Sequence, residues 1–319
     1  VATGVYMLRL VLVKIYVKRK YPALDFYAEP NEGALKQKNA ALLHQVVGII
    51  VNNTDTTVLT ICLGAKSLLE VSVYGIYMMV VNAVNQLMTS FSNGLTAGFG
   101  EVIAKNEEET LKKSYSSYEY MYFVIMFIVI ACMGVLILPF VGVYTINLTD
   151  VQYVRPVLGI LFTLIVFMQN VRIPGLTIIC AAGHYKETRY QAILEAVINI
   201  TVSLGLVWKF GMAGVLLGTV CSYGYRSFEI VFYTSRHLVK GCAKKSMFRI
   251  LRNVFTVAIL CTVGTYVIPQ EITSFTTWFL YAIGMGLTSV FFVVVINYVV
   301  EPDEFMQLRH RVNDIIKKE

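Results

Sequence analysis

Charge is scarce in this sequence. Only 15% of its 319 residues are Asp, Glu, Lys or Arg, and 56% are hydrophobic. Soluble domains carry about 25% charged and about 45–50% apolar residues. A chain this apolar does not suit a water-soluble globule, and it cannot be a disordered tail, which needs low hydrophobicity and high charge. Cysteine offers no framework. Six are present; Cys62, Cys132, Cys180, Cys221 and Cys261 lie in or near separate apolar runs, and Cys242 sits in a basic stretch. Without a CxxC or a close Cys/His spacing they read as small apolar residues, so no disulfide or zinc argument follows. Walker, HExxH, GxSxG and dinucleotide fingerprints are also missing, and the expectation is a protein that is not an enzyme.

The class that remains is an all-α polytopic membrane protein. Apolar runs long enough to span a bilayer as helices fall at 41–63, 71–98, 119–144, 156–181, 191–208, 212–233, 253–268 and 275–299. Residues 1–17 form a further, partial span that begins inside an apolar run at Val1. This stretch lacks a signal-peptide pattern and reads as the end of a helix whose beginning is missing, in a fragment of a longer protein. Lys and Arg set the topology. The connections 1–40, 100–116, 182–190, 226–252 and 301–319 hold 23 of the 27; the opposite side holds Lys66, Arg155 and Lys209, and Arg172 lies inside a span. By the positive-inside rule the basic side and the C-terminus are cytoplasmic. The net charge of +7 is thereby explained by basic loops, with no need of nucleic acid. The polar stretch 18–40, with Pro22, Pro30 and Gly33, reads as a cytoplasmic linker. The basic loop 236–252 sets the spans within 253–299 apart as a hairpin; its Phe248 and Leu251 suit the membrane interface. The 300–319 tail is cytoplasmic.

Polar groups inside spans are costly and usually face a cavity or a partner. Asn52 and Asp55, three apart on one helix face, lie near the middle of the bilayer; Asp55 is a cation or proton site, or a carboxyl satisfied by neighbouring helices. Asn82, Gln86, Thr89 and Asn93 make one stripe, either interhelical glue or the wall of a hydrated pathway. Gln169, Asn170 and Arg172 precede Pro174, which leaves a carbonyl without its usual donor. Arg172 suits bidentate recognition of phosphate or carboxylate; the alternative is an ion pair with Asp55 or Glu195. Gln191, Glu195, Asn199 and Ser203 recur every four residues and form another stripe. Gly211, Gly214 and Gly218 permit close helix packing, and Arg226 with Glu229, three apart, suits a local ion pair.

AAGHYKETRYQAILEAVINITVSLGLVWKFGMAGVLLGTVCS at 181–222 resembles a signature stretch of bacterial polysaccharide flippases, the Wzx-like branch of the MOP exporter superfamily. VNNTDTTVLTICLG at 51–64 resembles the N-x-x-D stretch that opens the second lobe of such carriers. The resemblance implies two pseudo-symmetric six-helix bundles with two extra C-terminal helices. On this basis 1–17 ends a preceding transmembrane helix, 18–40 is the interlobe linker, 41–235 is the six-helix C-lobe and 253–299 is the extra hairpin, with the N-terminal lobe missing. The family moves an undecaprenyl-diphosphate-linked oligosaccharide across the bacterial cytoplasmic membrane by alternating access. A polysaccharide polymerase and glycosyltransferases are the partners this implies. A Na+ or H+ coupling site would fall, by position, on Asp55, Asn199, Ser203 and Thr219. Arg172 would take the diphosphate, and Asn52, Asn82, Gln86, Asn93, Gln169 and Glu195 would line the cavity. The competing expectations are a MATE-like cation or drug antiporter and a non-transport scaffold in envelope assembly.

Overall fold

The computed structural model describes residues 2–22, 37–92, 95–269 and 271–306, and the described residues are overwhelmingly helical, without strands. The chain divides into two units, Val1–Asn39 and Ala40–Glu319. The first holds α1 (Ala2–Lys20), which ends in Lys18, Arg19 and Lys20, cations that complement the negative end of the helix dipole. The expected linker lies mostly outside the described residues, as does most of the C-terminal tail.

The second unit is built from α2 (Lys38–Cys62), α3 (Ser67–Ser92), α4 (Leu95–Ala104), α5 (Glu108–Tyr144), α6 (Pro156–Val171), α7 (Ile173–Ala181), α8 (Arg189–Phe210), α9 (Met212–His237), α10 (Cys242–Val267) and α11 (Phe275–Val300). Six helical segments are long and apolar enough to cross a membrane: Ser67–Ala104, Glu108–Tyr144, Pro156–Ala181, Arg189–Phe210, Cys242–Val267 and Phe275–Val300. The protein is thus an all-α, multi-pass membrane protein. The expected spans 41–63 and 212–233 are also helical, as α2 and α9, but fall outside these six. The reason is compositional: both turn polar side chains such as Asp55, Thr219 and Arg226 into the protein. Large apolar side chains stand exposed on α10 and α11, among them Phe255, Tyr266, Phe279 and Leu287. Such a surface belongs in lipid rather than water.

Close packing starts from glycine. Gly211 closes α8 and opens α9 with φ 57° and ψ −134°, a conformation open to glycine and strained for other residues. A methyl group added at Gly214 would lie 2.4 Å from the Leu206 carbonyl, and one at Gly218 only 2.2 Å from Ser203 Oγ. Helices α8 and α9 therefore touch backbone to backbone. The core beside them is aromatic, with Tyr77 and Phe162 stacked at 5.0 Å.

Three elements differ from their sequence expectations. The stretch 156–181 is not one helix: it breaks at Arg172 into α6 and α7. Pro174 has no N–H to offer the Asn170 carbonyl, and the backbone N–H of Arg172 turns to that oxygen instead. Helix α5 starts eleven residues before the expected 119, at Glu108. The expected basic loop 236–252 is largely helix, because α9 runs to His237 and α10 begins at Cys242. Its cations find carboxylates there. Arg249, 1% exposed, donates from Nη1 to Glu119 at 3.0 Å and from Nη2 to Glu301 at 2.7 Å. Arg252 Nη1 reaches Glu301 at 2.9 Å and Lys245 reaches Glu304 at 2.6 Å. This network ties α10 and the end of α11 to α5, while Phe248 and Leu251 stay exposed. Burial alone would raise the Glu301 carboxyl, but hydrogen bonding and charge from Arg249 and then Arg252 hold it below the ordinary carboxylate value. Lys245 and Ser116 do the same for Glu304 against its own burial.

Candidate functional site

Asp55 lies on α2 and is 4% exposed. A bare carboxylate so placed would be prohibitively costly, and two hydroxyls meet it. Thr219 of α9 donates to Oδ1 at 2.7 Å, and Tyr74 of α3 donates to Oδ2 at 3.3 Å. Asn199 of α8 donates from Nδ2 to the same Thr219 hydroxyl at 3.0 Å and to Ser222 at 3.4 Å. Its Oδ1 is buried and has no hydrogen-bond partner among the described residues. Asp55, Thr219 and Asn199 thus form one oxygen-rich knot joining three helices. Ser203, expected beside them, is elsewhere. It packs where Gly218 leaves room and donates to the Val215 carbonyl at 3.1 Å. Its hydroxyl serves the α8–α9 contact and makes no hydrogen bond to Asp55, Asn199 or Thr219 among the described residues.

The Asp55 knot opens on a cavity of about 430 Å³ whose lining includes Asn52, Asn82, Asn85, Gln169, Thr219 and Tyr223. A second cavity, of about 420 Å³, lies towards the basic loops and is lined by His44, Arg172, Tyr185, Glu195 and Arg226, among others. The two share Val51, Asn52, Gln169 and Tyr223. The two cavities therefore adjoin, one reaching the 182–190 turn and the other Asp55. The His44 ring bonds to the Tyr185 carbonyl at 3.0 Å and lies 3.3 Å from the Thr188 hydroxyl, which ties α2 to that turn.

Arg172 stands at the break between α6 and α7. Its Nη1 donates to Glu195 Oε1 at 2.5 Å, so the structure realises the ion pair that the sequence left as one of two alternatives. The guanidinium also lies over the Tyr223 ring, 4.5 Å from its centroid. Tyr223 in turn donates to Asn52 Oδ1 at 3.2 Å. The other oxygen of Glu195 faces Arg226 Nε at 3.6 Å, and Arg226 Nη1 donates to Glu229 at 2.5 Å.

The described part of the α3 stripe lies on an exposed face. Asn82 is exposed at the rim of the Asp55 cavity, whereas Gln86 and Thr89 are exposed outside both cavities. Asn93 lies outside the described residues. The inward polar group of α3 is Asn85, which sequence reasoning passed over. It donates to Gln169 at 2.9 Å and accepts from Asn170 at 2.9 Å. Asn85 stands three residues from Asn82 and four from Thr89, so the same spacing rule held a signal for it. Tyr74 had only the general signal of a tyrosine in an apolar span, whose hydroxyl needs a partner. Among the described residues no three His, Cys, Asp or Glu side chains gather as a metal cluster; the Asp55 knot offers one carboxylate and neutral oxygens. Comparison of the sequence with protein-family models and with curated proteins found no match.

Proposed function

We propose that this chain is the second lobe and C-terminal hairpin of an ion-coupled, alternating-access carrier that flips an undecaprenyl-diphosphate-linked oligosaccharide across the bacterial cytoplasmic membrane. The observation that carries the reading is the pair of adjoining cavities within a helical bundle, one ending on Asp55 and the other bearing Arg172. A carboxylate held by Thr219 and Tyr74, with the spare Asn199 oxygen nearby, suits a proton or a monovalent cation such as Na+. An arginine in a cavity suits a phosphate.

Other features fit the same reading. Asn53, Thr57, Gln86 and Thr89 are exposed on α2 and α3. Polar groups at membrane depth are better matched by water or another protein lobe than by lipid. An apolar groove of about 670 Å³ between α10 and α11, lined by residues such as Phe255, Leu260, Met285 and Phe292, suits a polyprenyl tail. The basic loops would then face the cytoplasm.

The test is translocation of a fluorescent lipid-linked oligosaccharide in proteoliposomes, with and without an imposed Na+ or proton gradient. Asp55→Asn should abolish the gradient dependence and Arg172→Ala should abolish transport. Normal, gradient-independent flipping by Asp55→Asn would end the coupling role. Full transport by Arg172→Ala would end the diphosphate role. Glycan export indifferent to both substitutions would point to a scaffold.

A further inference from the structure

Resting on the transport reading for the chemistry of its ligand, we infer that Arg172 and Arg226 form one two-arginine diphosphate site. Glu195 is its resident counter-ion and leaves the guanidiniums when the ligand arrives. One carboxylate bridges both arginines, Oε1 to Arg172 at 2.5 Å and Oε2 to Arg226 at 3.6 Å. The two cations are therefore close enough for one diphosphate to span them. All these groups except Glu229 line the same cavity of about 420 Å³.

The site is under-filled. A guanidinium carries five N–H donors in a fork made for two parallel bonds. Glu195 meets Arg172 through Nη1 alone, and Arg172 Nε is buried with no hydrogen-bond partner among the described residues. The Arg226 contact to Glu195 is longer than a hydrogen bond. A buried donor without an acceptor is costly, and a diphosphate would supply several acceptors in the same space.

The charges explain the role of Glu195. Arg172 and Arg226 balance Glu195 and Glu229, with His44 also facing the cavity. A diphosphate entering with Glu195 still in place would add negative charge to a balanced, poorly hydrated site. With the Glu195 carboxylate withdrawn, Arg172 and one side of Arg226 are free, while Glu229 keeps Arg226 in position. Glu195 thus sets the threshold for occupancy: it neutralises the arginines in the empty carrier and competes with the ligand.

Binding of radiolabelled inorganic pyrophosphate to the purified full chain in detergent tests this without any transport step. Glu195→Gln should bind at least about tenfold more tightly than the native chain, since a neutral amide competes poorly for guanidinium. Glu195→Asp keeps the charge and should stay within about threefold of native. Adding Arg172→Ala or Arg226→Ala to Glu195→Gln should remove the gain. Geranyl diphosphate should displace the pyrophosphate. The native chain gives a second measurement should Glu195→Gln fail to fold: saturating pyrophosphate should increase labelling of Glu195 by a hydrophobic carbodiimide, read by mass spectrometry. A Glu195→Gln affinity equal to native, a gain that survives loss of Arg226, unchanged Glu195 labelling, or failure of geranyl diphosphate to compete would each overturn the inference. The Asp55 gradient assay would still stand or fall separately, so failure here is distinguishable from failure of the transport reading.

Discussion

Two arginines, buried Arg249 and part-buried Arg172, sit in the same bundle and are used in opposite ways. Arg249 spends every nitrogen: Nε and Nη2 on Glu301, Nη1 on Glu119 and the Ser116 carbonyl, and Nη2 again on the Ser116 hydroxyl. Around it Arg252 Nε and Glu304 Oε2 are buried without a partner among the described residues. Arg172 commits Nη1 to one carboxylate, leans on the Tyr223 ring and borders open space. Desolvating an arginine is repaid only by thorough pairing. The first arrangement is therefore a fastener, and the second keeps capacity in reserve.

The sharpest way to break the contrast is Arg249→Ala. It takes from Glu119, 3% exposed in its side chain, its one guanidinium among the described residues, while Glu301 keeps Arg252, and should cost about 3–5 kcal/mol. Detergent unfolding curves would show it; a loss under 1 kcal/mol would mean the network does not hold the hairpin. Arg172→Ala should cost less, about 1–3 kcal/mol, because Glu195 keeps Arg226 as a partner. Equal losses for the two variants would erase the distinction. Gly218→Ala drives a methyl into Ser203 and should cost about 1–3 kcal/mol by overpacking. It should also loosen the Thr219–Asp55 contact, seen as faster hydrogen exchange at the start of α9. The smallest effect is acid loosening of the hairpin. Glu301 and Glu304 titrate lower in the folded protein than the ordinary value of 4.5. Their stabilisation is complete above that value and fades as pH falls through the lower folded values. Amide exchange at the C-terminal end of α11 should therefore quicken below pH 4.5 in the native chain, and less so in Glu301→Gln.

Composition and run length made the membrane class and the helix positions legible, because both are additive along the chain. The Gly214–Gly218 contact was legible from spacing, and the break at Arg172 only in part, through Pro174. Asp55, Thr219 and Asn199, paired by family resemblance, do meet. Ser203 shares their spacing yet bonds to backbone, since a four-residue stripe gives a face and not the partner opposite it. Gln86 stands exposed outside both cavities, with Asn85 on the inward side of that helix. The Arg249 network was illegible. Its partners lie 130 and 52 residues away in sequence, and a basic stretch looks alike whether it meets water or carboxylates.

Helix α5 has 37 residues, with Pro139 inside its C-terminal part, and is about 55 Å long. It packs against α3 and α6 along one part of its surface and against α10 and α11 along another. Mechanically it is a shared beam. A force that tilts the bundle reaches the hairpin through this helix. The groove between α10 and α11 is thereby joined to the cavities through a shared helix.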